Sequence, residues 1–128
     1  MSDNQDVKDF QTKFEIPMAE TPTFLSNDDF VFRCNFMYEE LAEFELGHQQ
    51  KNMEDVADAL VDLAYVIHGT ALMMGIPWAK IWDEVQRANM TKVRATSAEQ
   101  SKRNSAIDVV KPEGWQGPDH RSALDIPK

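Results

Sequence analysis

The sequence predicts an all-α protein, an antiparallel helix bundle with an extended C-terminal arm. Apolar residues recur at helical spacing in the long segments of the first 92 residues. Proline and glycine fall at the joins between those segments. No run of alternating polarity is long enough for a sheet. The division expected is a helical domain over residues 1–92 and an extended or partly ordered arm over 93–128. With 128 residues, 42% of them apolar, the chain can build one modest core.

Val7, Phe10 and Phe14 follow i, i+3, i+7, which suggests a short first helix packed by one edge. Pro17 and Pro22 interrupt the chain after it. Ser26, with Asp29 three residues on, reads as an N-cap and opens a helix over residues 27–46. Its apolar face holds Phe30, Cys34, Met37, Leu41 and Phe44, with Glu40 at the border and Arg33 two turns before it. Gly47 suits the end of this helix. Asn52, with Asp55 at the third position beyond, reads as the next cap, and that helix can run to Met74 before Gly75 and Pro77. Val56, Leu60, Leu63, Ile67 and Met74 form its core stripe. A third long segment from Trp78 to about Thr91 sets Ile81, Trp82, Val85 and Ala88 on one side. From Val93 onward the periodicity disappears, and order depends on Trp115 or on Ile107, Val109 and Val110 docking.

Composition narrows the setting. Cys34 is the sole cysteine, so no intramolecular disulfide is possible and the cytosol is the expected compartment. The acidic, polar N-terminus is unlike a secretory signal, and no apolar run approaches the roughly 18 residues of a membrane span. A pI near 4.7 argues against non-specific nucleic-acid binding. A nucleotide held through metal ions is compatible with it.

The acids are concentrated. Residues 39–62 hold eight, Glu39, Glu40, Glu43, Glu45, Glu54, Asp55, Asp58 and Asp62, against one base, Lys51. On a helix, Glu39, Glu40 and Glu43 share an arc of about 100°, and Asp55, Asp58 and Asp62 share about 60° of the next. The short polar joint between them makes the two helices antiparallel neighbours whose acidic stripes can face each other. Tyr65, Gly69 and Leu72 continue the second stripe without charge, so that line should enter a covered region. Carboxylates crowded into one cleft repel and shift upward in pKa, a conflict a cation relieves. Mg²⁺ takes oxygen ligands, keeps waters and completes its shell with phosphate oxygens; Mn²⁺ is a possible substitute.

The competing reading is a solvated face, the usual meaning of one acidic helix stripe. Two stripes on adjacent helices, one bordering the core, favour the cation. No thiolate set, glycine-rich phosphate loop or histidine pair at ligand spacing offers another centre.

Glu39-Glu40-Leu41-Ala42-Glu43 resembles the E-E-x-x-E motif of the all-α nucleoside triphosphate pyrophosphohydrolases, which include MazG-like enzymes, phosphoribosyl-ATP pyrophosphohydrolases and dimeric dUTPases. Asp55-Val56-Ala57-Asp58 resembles the second motif, E-x-x-D, with Asp in place of Glu; a register based on Asp62 would put Ala59 where Glu belongs. The run Tyr65-Val66-Ile67-His68-Gly69-Thr70-Ala71, then Gly75-Ile76-Pro77 and the stretch from Glu84 to Lys92, is similar to phage and bacterial phosphoribosyl-ATP-pyrophosphohydrolase-like proteins.

That resemblance implies Mg²⁺-dependent attack of water on a (deoxy)nucleoside triphosphate, giving the monophosphate and pyrophosphate, in a homodimer or homotetramer. By motif position it implies Glu40, Glu43, Asp55, Asp58 and Asp62 as metal ligands, and Glu39 and Glu40 as the catalytic pair. It implies Asn89 and Lys92 as contacts to phosphate or sugar, with Arg33 and Tyr65 as further substrate-binding residues. The alternatives are phosphoribosyl-ATP hydrolysis proper and a non-catalytic acidic helical interaction module.

Overall fold

The computed structural model describes residues 2–127. The order is α1 (Asp3–Lys13), α2 (Asn27–Gln49), α3 (Met53–Met73), α4 (Trp78–Asn89), β1 (Val93–Arg94), a single 3₁₀ turn, β2 (Val109–Val110) and α5 (His120–Ala123). The all-α architecture is the one expected. The two-residue strands, antiparallel with Val93 opposite Val110, are the only sheet among the described residues. The chain divides into two compact units, Met1–Ile76 and Pro77–Lys128.

In the first unit, α3 packs against both α2 and α1. Side-chain oxygens of Ser2, Ser26 and Asn52 cap the three helices, accepting from the amides of Gln5, Asp29 and Asp55 at 3.1, 3.2 and 3.2 Å. The last two caps are those the sequence indicated. α3 stops after Met73 in a Schellman turn: Ile76 N–H donates to Ala71 O and Gly75 N–H to Leu72 O, with Gly75 at φ 66°. The segment before α2 is strapped across this end, Ala19 N–H donating to Met73 O and Thr23 N–H to Met74 O.

α2 runs three residues past its expected end. Gly47 does not terminate it; the same Schellman pattern falls later, with Lys51 in the left-handed position at φ 57°. Gly47 serves packing instead. A Cβ there would stand 3.2 Å from both Asp55 Cβ and Val56 N, so its lack of a side chain lets α2 and α3 approach closely.

The buried line of α2 is Arg33, Glu40 and Gly47, rather than the apolar face the sequence suggested, from which Phe30 and Leu41 stay exposed. On α3, Leu60 and Ile67 are exposed while Ala59, Val66 and Gly69 are buried. The reason is a seven-residue register. Gly47 meets Asp55, Glu40 meets Asp62, and the Arg33 guanidinium lies beside Gly69. Each step is two turns on both antiparallel helices, so these six residues own the seam and the large apolar side chains turn outward. α3 is also long and apolar enough, by composition, to span a membrane, which the sequence had not suggested; Asp58 and Asp62 interrupt it and α1 and α2 pack on it.

In the second unit, the arm does dock. Trp115 Nε1 donates to Ala88 O at 3.0 Å near the C-terminal end of α4. Glu84 accepts from Arg87 and from the Asp119 amide at 2.8 Å, and Arg87 Nη2 donates to Gly117 O at 2.9 Å. Ser101 and Arg103 both donate to Asp108 Oδ2 at 2.7 Å. Val109 and Val110 are held in the small sheet, while Ile107 stays exposed.

Candidate metal centre

Glu40, Glu43 and Asp62 each offer a carboxylate oxygen, all within 4.8 Å of one another. Two come from adjacent turns of α2 and the third from the facing turn of α3. Glu40 is buried at 7% exposure, Asp62 is half-buried and Glu43 is exposed, so the cluster runs from seam to surface. Glu40 Oε2 has no hydrogen-bond partner. No lysine or arginine forms an ion pair with any of the three among the described residues.

The electrostatics follow from this crowding. Burial pushes the Glu40 carboxyl up to about 7, assisted by Glu43, Asp62 and Glu39. Asp62 is raised too, first by burial and then by Asp58, which hydrogen-bonds to it, and by Glu43. Asp58 therefore joins the cluster at its edge. Asp55 stands one level further along the seam, where it lines a shallow depression of about 210 Å³ with Glu43 and Asp58. Glu39 is exposed and acts on Glu40 through its charge.

The donor set is oxygen only, and one buried oxygen lacks a partner. These residues fit a hard divalent cation, which would hold Glu40 and Asp62 ionised and occupy Glu40 Oε2.

Beside the acids lies a cavity of about 420 Å³, reached by Glu40 and Asp62 at one end. Arg33 and Tyr65 line it, both among the residues singled out from the sequence. Arg33 is buried, and desolvation lowers its pKa against the opposing pull of Asp29. Phe10 meets Tyr65 edge-on at 5.3 Å, and Phe32 and Phe36 complete an aromatic wall. The cavity also holds Gln11, 2% exposed, which sequence reasoning passed over. Its signal was available, a polar residue four after Val7 on the buried edge of α1.

In the second unit, Asn89 is the exposed last residue of α4, and Lys92 lies three residues beyond it, outside the helix. The Lys92 ammonium sits 5.4 Å from the centre of the Trp115 ring, with Lys111 at 5.0 Å from the same ring. The carbonyl of Ala88 is taken by Thr91 and Trp115.

Among curated proteins no match was found. Residues 7–89, well over half the chain, match the family model described as phosphoribosyl-ATP pyrophosphohydrolase.

Proposed function

On the premise that this chain belongs to the phosphoribosyl-ATP pyrophosphohydrolase family, within the all-α MazG-like superfamily, we propose that it is a cytoplasmic, Mg²⁺-dependent enzyme. In this reading it cleaves a (deoxy)nucleoside triphosphate to the monophosphate and pyrophosphate. The family supports a nucleotide pyrophosphohydrolase. The observation that carries the metal-dependent step is the Glu40–Glu43–Asp62 cluster, three carboxylates in reach of one ion with a buried oxygen left over.

Glu40, Glu43 and Asp62 would hold the ion, with Asp58 and Asp55 extending the ligand set towards a second. Bound there, Mg²⁺ supplies charge neutralisation for the triphosphate and a water of lowered pKa. Glu39, exposed beside the cluster, is suited to orient the attacking water and take its proton. Water adds to phosphorus, the α–β anhydride bond breaks, and the leaving pyrophosphate carries away the bond's electron pair. Arg33 and Tyr65 position the nucleoside part. Asn89 and Lys92 contact the phosphates or sugar. Residues 1–92 carry the chemistry and 93–128 form the arm, in keeping with a family match that ends at 89.

The test is pyrophosphate release from a nucleotide panel, with phosphoribosyl-ATP included, in Mg²⁺ and in chelator. Release from triphosphates only with Mg²⁺ is expected. Activity confined to phosphoribosyl-ATP would move the substrate, and no release from any nucleotide would return the acids to a binding surface.

A further inference from the structure

Lys92 and Lys111 converge on one ring in the second unit, their ammonium nitrogens 5.4 and 5.0 Å from the centre of the Trp115 indole. The local fold brings them together. Val93 pairs with Val110, Arg94 with Val109, and Ala95 N–H donates to Asp108 O. The same register carried one step outward sets Lys92 opposite Lys111. Side chains at opposed positions of an antiparallel pair leave the ribbon on the same face. Trp115 is fixed beside them by its ring N–H, which donates to Ala88 O at 3.0 Å.

Like charges at opposed positions repel, and no acid answers these two. Both ion pairs among the described residues lie in this unit, Arg87 with Glu84 and Arg103 with Asp108, and neither includes either lysine. Glu84 and Asp108 are further engaged by the Asp119 amide and the Ser101 hydroxyl. The indole attracts a cation through its quadrupole, but it carries no net charge to cancel two. Lys111 is exposed and Lys92 half-buried, so water and solutes reach the pair.

The chemistry narrows the anion that would relieve the repulsion. An ammonium is a compact point charge suited to phosphate oxygens. A single carboxylate would neutralise one lysine and leave the other. A long polyanion such as nucleic acid would be repelled by a chain of net charge −9. Pyrophosphate is short and highly charged, and it has two phosphate groups to offer, one to each ammonium.

We propose that Lys111 and Lys92 form a two-pronged binding site for a pyrophosphate group, free or at the end of a nucleotide. This rests on the hydrolase reading for the source of that group, and Lys111 is the binding residue it adds. The arm then carries half of the site, and the short ribbon and Trp115 hold the two prongs in register.

The experiment is isothermal titration calorimetry of the full chain in metal-free buffer at low ionic strength, with inorganic pyrophosphate, dATP and dAMP as probes. Pyrophosphate should bind saturably with a Kd of about 1 mM or tighter. dAMP should bind at least about tenfold more weakly, having one phosphate for two ammoniums. Lys111→Glu should weaken pyrophosphate at least about tenfold, while its carboxylate, opposite Lys92, keeps Tm at or above the wild-type value. Lys111→Arg should retain most of the affinity. Should Lys111→Glu fail to melt cooperatively, Lys111→Gln carries the same comparison. Equal affinity for dATP places the group on a nucleotide, and affinity for pyrophosphate alone assigns the site to the free anion. No saturable binding of either, dAMP as tight as pyrophosphate, or undiminished affinity without the Lys111 charge overturns the proposal. Binding is read here without Mg²⁺ or turnover. Mg²⁺-dependent release that persists without such binding therefore discards the two-lysine site alone, and loss of release discards the hydrolase reading separately.

Discussion

Glu40 on α2 and Asp62 on α3 face each other across the seam with carboxylate oxygens no more than 4.8 Å apart, and an oxygen of Glu43 lies within the same limit of both. Like charges at this distance, partly out of water, oppose folding unless protons or a cation intervene. Divalent metal should therefore stabilise the chain by mass action, Mg²⁺ or Mn²⁺ well above Kd raising Tm. Glu43→Gln removes one ligand and one repulsive charge, so the metal-free Tm should hold or rise while most of the metal-induced increase is lost. Thermal melts across a Mg²⁺ titration check this. A Tm indifferent to millimolar-scale Mg²⁺ would dispose of the metal centre.

The raised Glu40 carboxyl gives a pH dependence of unusual sign. A carboxyl whose pKa rises from 4.5 to about 7 on folding binds its proton more tightly in the folded state. Its contribution to stability is complete below the lower value and is lost as pH climbs through the upper one. Asp62 is shifted in the same direction. Asp108, held down to about 2 by Ser101, the Val109 amide and Arg103, is ionised throughout that window and leaves the slope alone. In chelator, Tm should fall between pH 5 and pH 8. Glu40→Gln should flatten much of that fall, and Mg²⁺ should reverse it by favouring the ionised form. A wild-type Tm that rises over this range in chelator would contradict the assignment.

Lys92→Ala separates a phosphate contact from a structural lysine. Its ammonium over Trp115 is worth about 0.5–1 kcal/mol where the charge keeps contact with water. Lys111 lies opposite it, one position beyond the Val93–Val110 pair, so losing Lys92 also relieves a like-charge neighbour. Stability should change little. If Lys92 binds phosphate in the transition state, kcat/KM should drop roughly ten- to a hundredfold. Steady-state kinetics beside a melting curve decides, an unchanged kcat/KM leaving Lys92 as a prop for Trp115.

Two Schellman turns of the same form carry opposite residues at the left-handed position. Gly75 has φ 66°, and a Cβ there would run into the backbone carbonyl of Thr21. Gly75→Ala should cost about 2–4 kcal/mol, strain plus a clash with main chain that cannot swing aside. Lys51, at φ 57°, already bears the strain. Lys51→Gly should stabilise by roughly 0.5–1 kcal/mol. Chemical denaturation of both variants reads the two signs, and loss of stability in both would show that the turns are held differently.

The outward apolar faces predict assembly. Phe32 and Val61 are 61% and 63% exposed, and Phe30, Leu60 and Trp82 are also exposed. Apolar surface of this kind is normally covered by another molecule. Light scattering should give at least twice the 14.6 kDa chain mass at micromolar concentration. A clean monomer would leave these faces unexplained.

Much of this was legible in the chain. Ser26 and Asn52 announced their helices through cap chemistry, and Gly75 announced the end of α3. The acids announced that two carboxylate stripes could face each other across α2 and α3, but not that Asp62, rather than Asp55, would be the one closest to Glu40 and Glu43. What hydrophobic periodicity concealed was the seam. Amphipathic reasoning assigns the inside to Leu41 and Leu60, but a close approach made by Gly47 and Gly69 and lined with Arg33 and Glu40 places small and charged residues there. Gln11 stood four residues after Val7 on the buried edge of α1, a position that predicts its burial but not that this edge reaches a seam formed by two other helices. The order of the arm was conditional on Trp115, whose indole N–H finds Ala88 O across 27 residues of sequence.

The seven-residue spacing of Arg33, Glu40 and Gly47 against Asp55, Asp62 and Gly69 also governs which changes of chain length the protein can absorb. One residue inserted between Arg33 and Glu40 would rotate everything after it by about 100° and advance it about 1.5 Å, sending Glu40 out of the cluster or Arg33 off the seam. A substitution between those positions alters one side chain and leaves the others in place. The tract from Arg33 to Gly47 and its counterpart from Asp55 to Gly69 thus behave as fixed-length rulers. Additions and deletions belong outside these two tracts, where no seven-residue measure is kept.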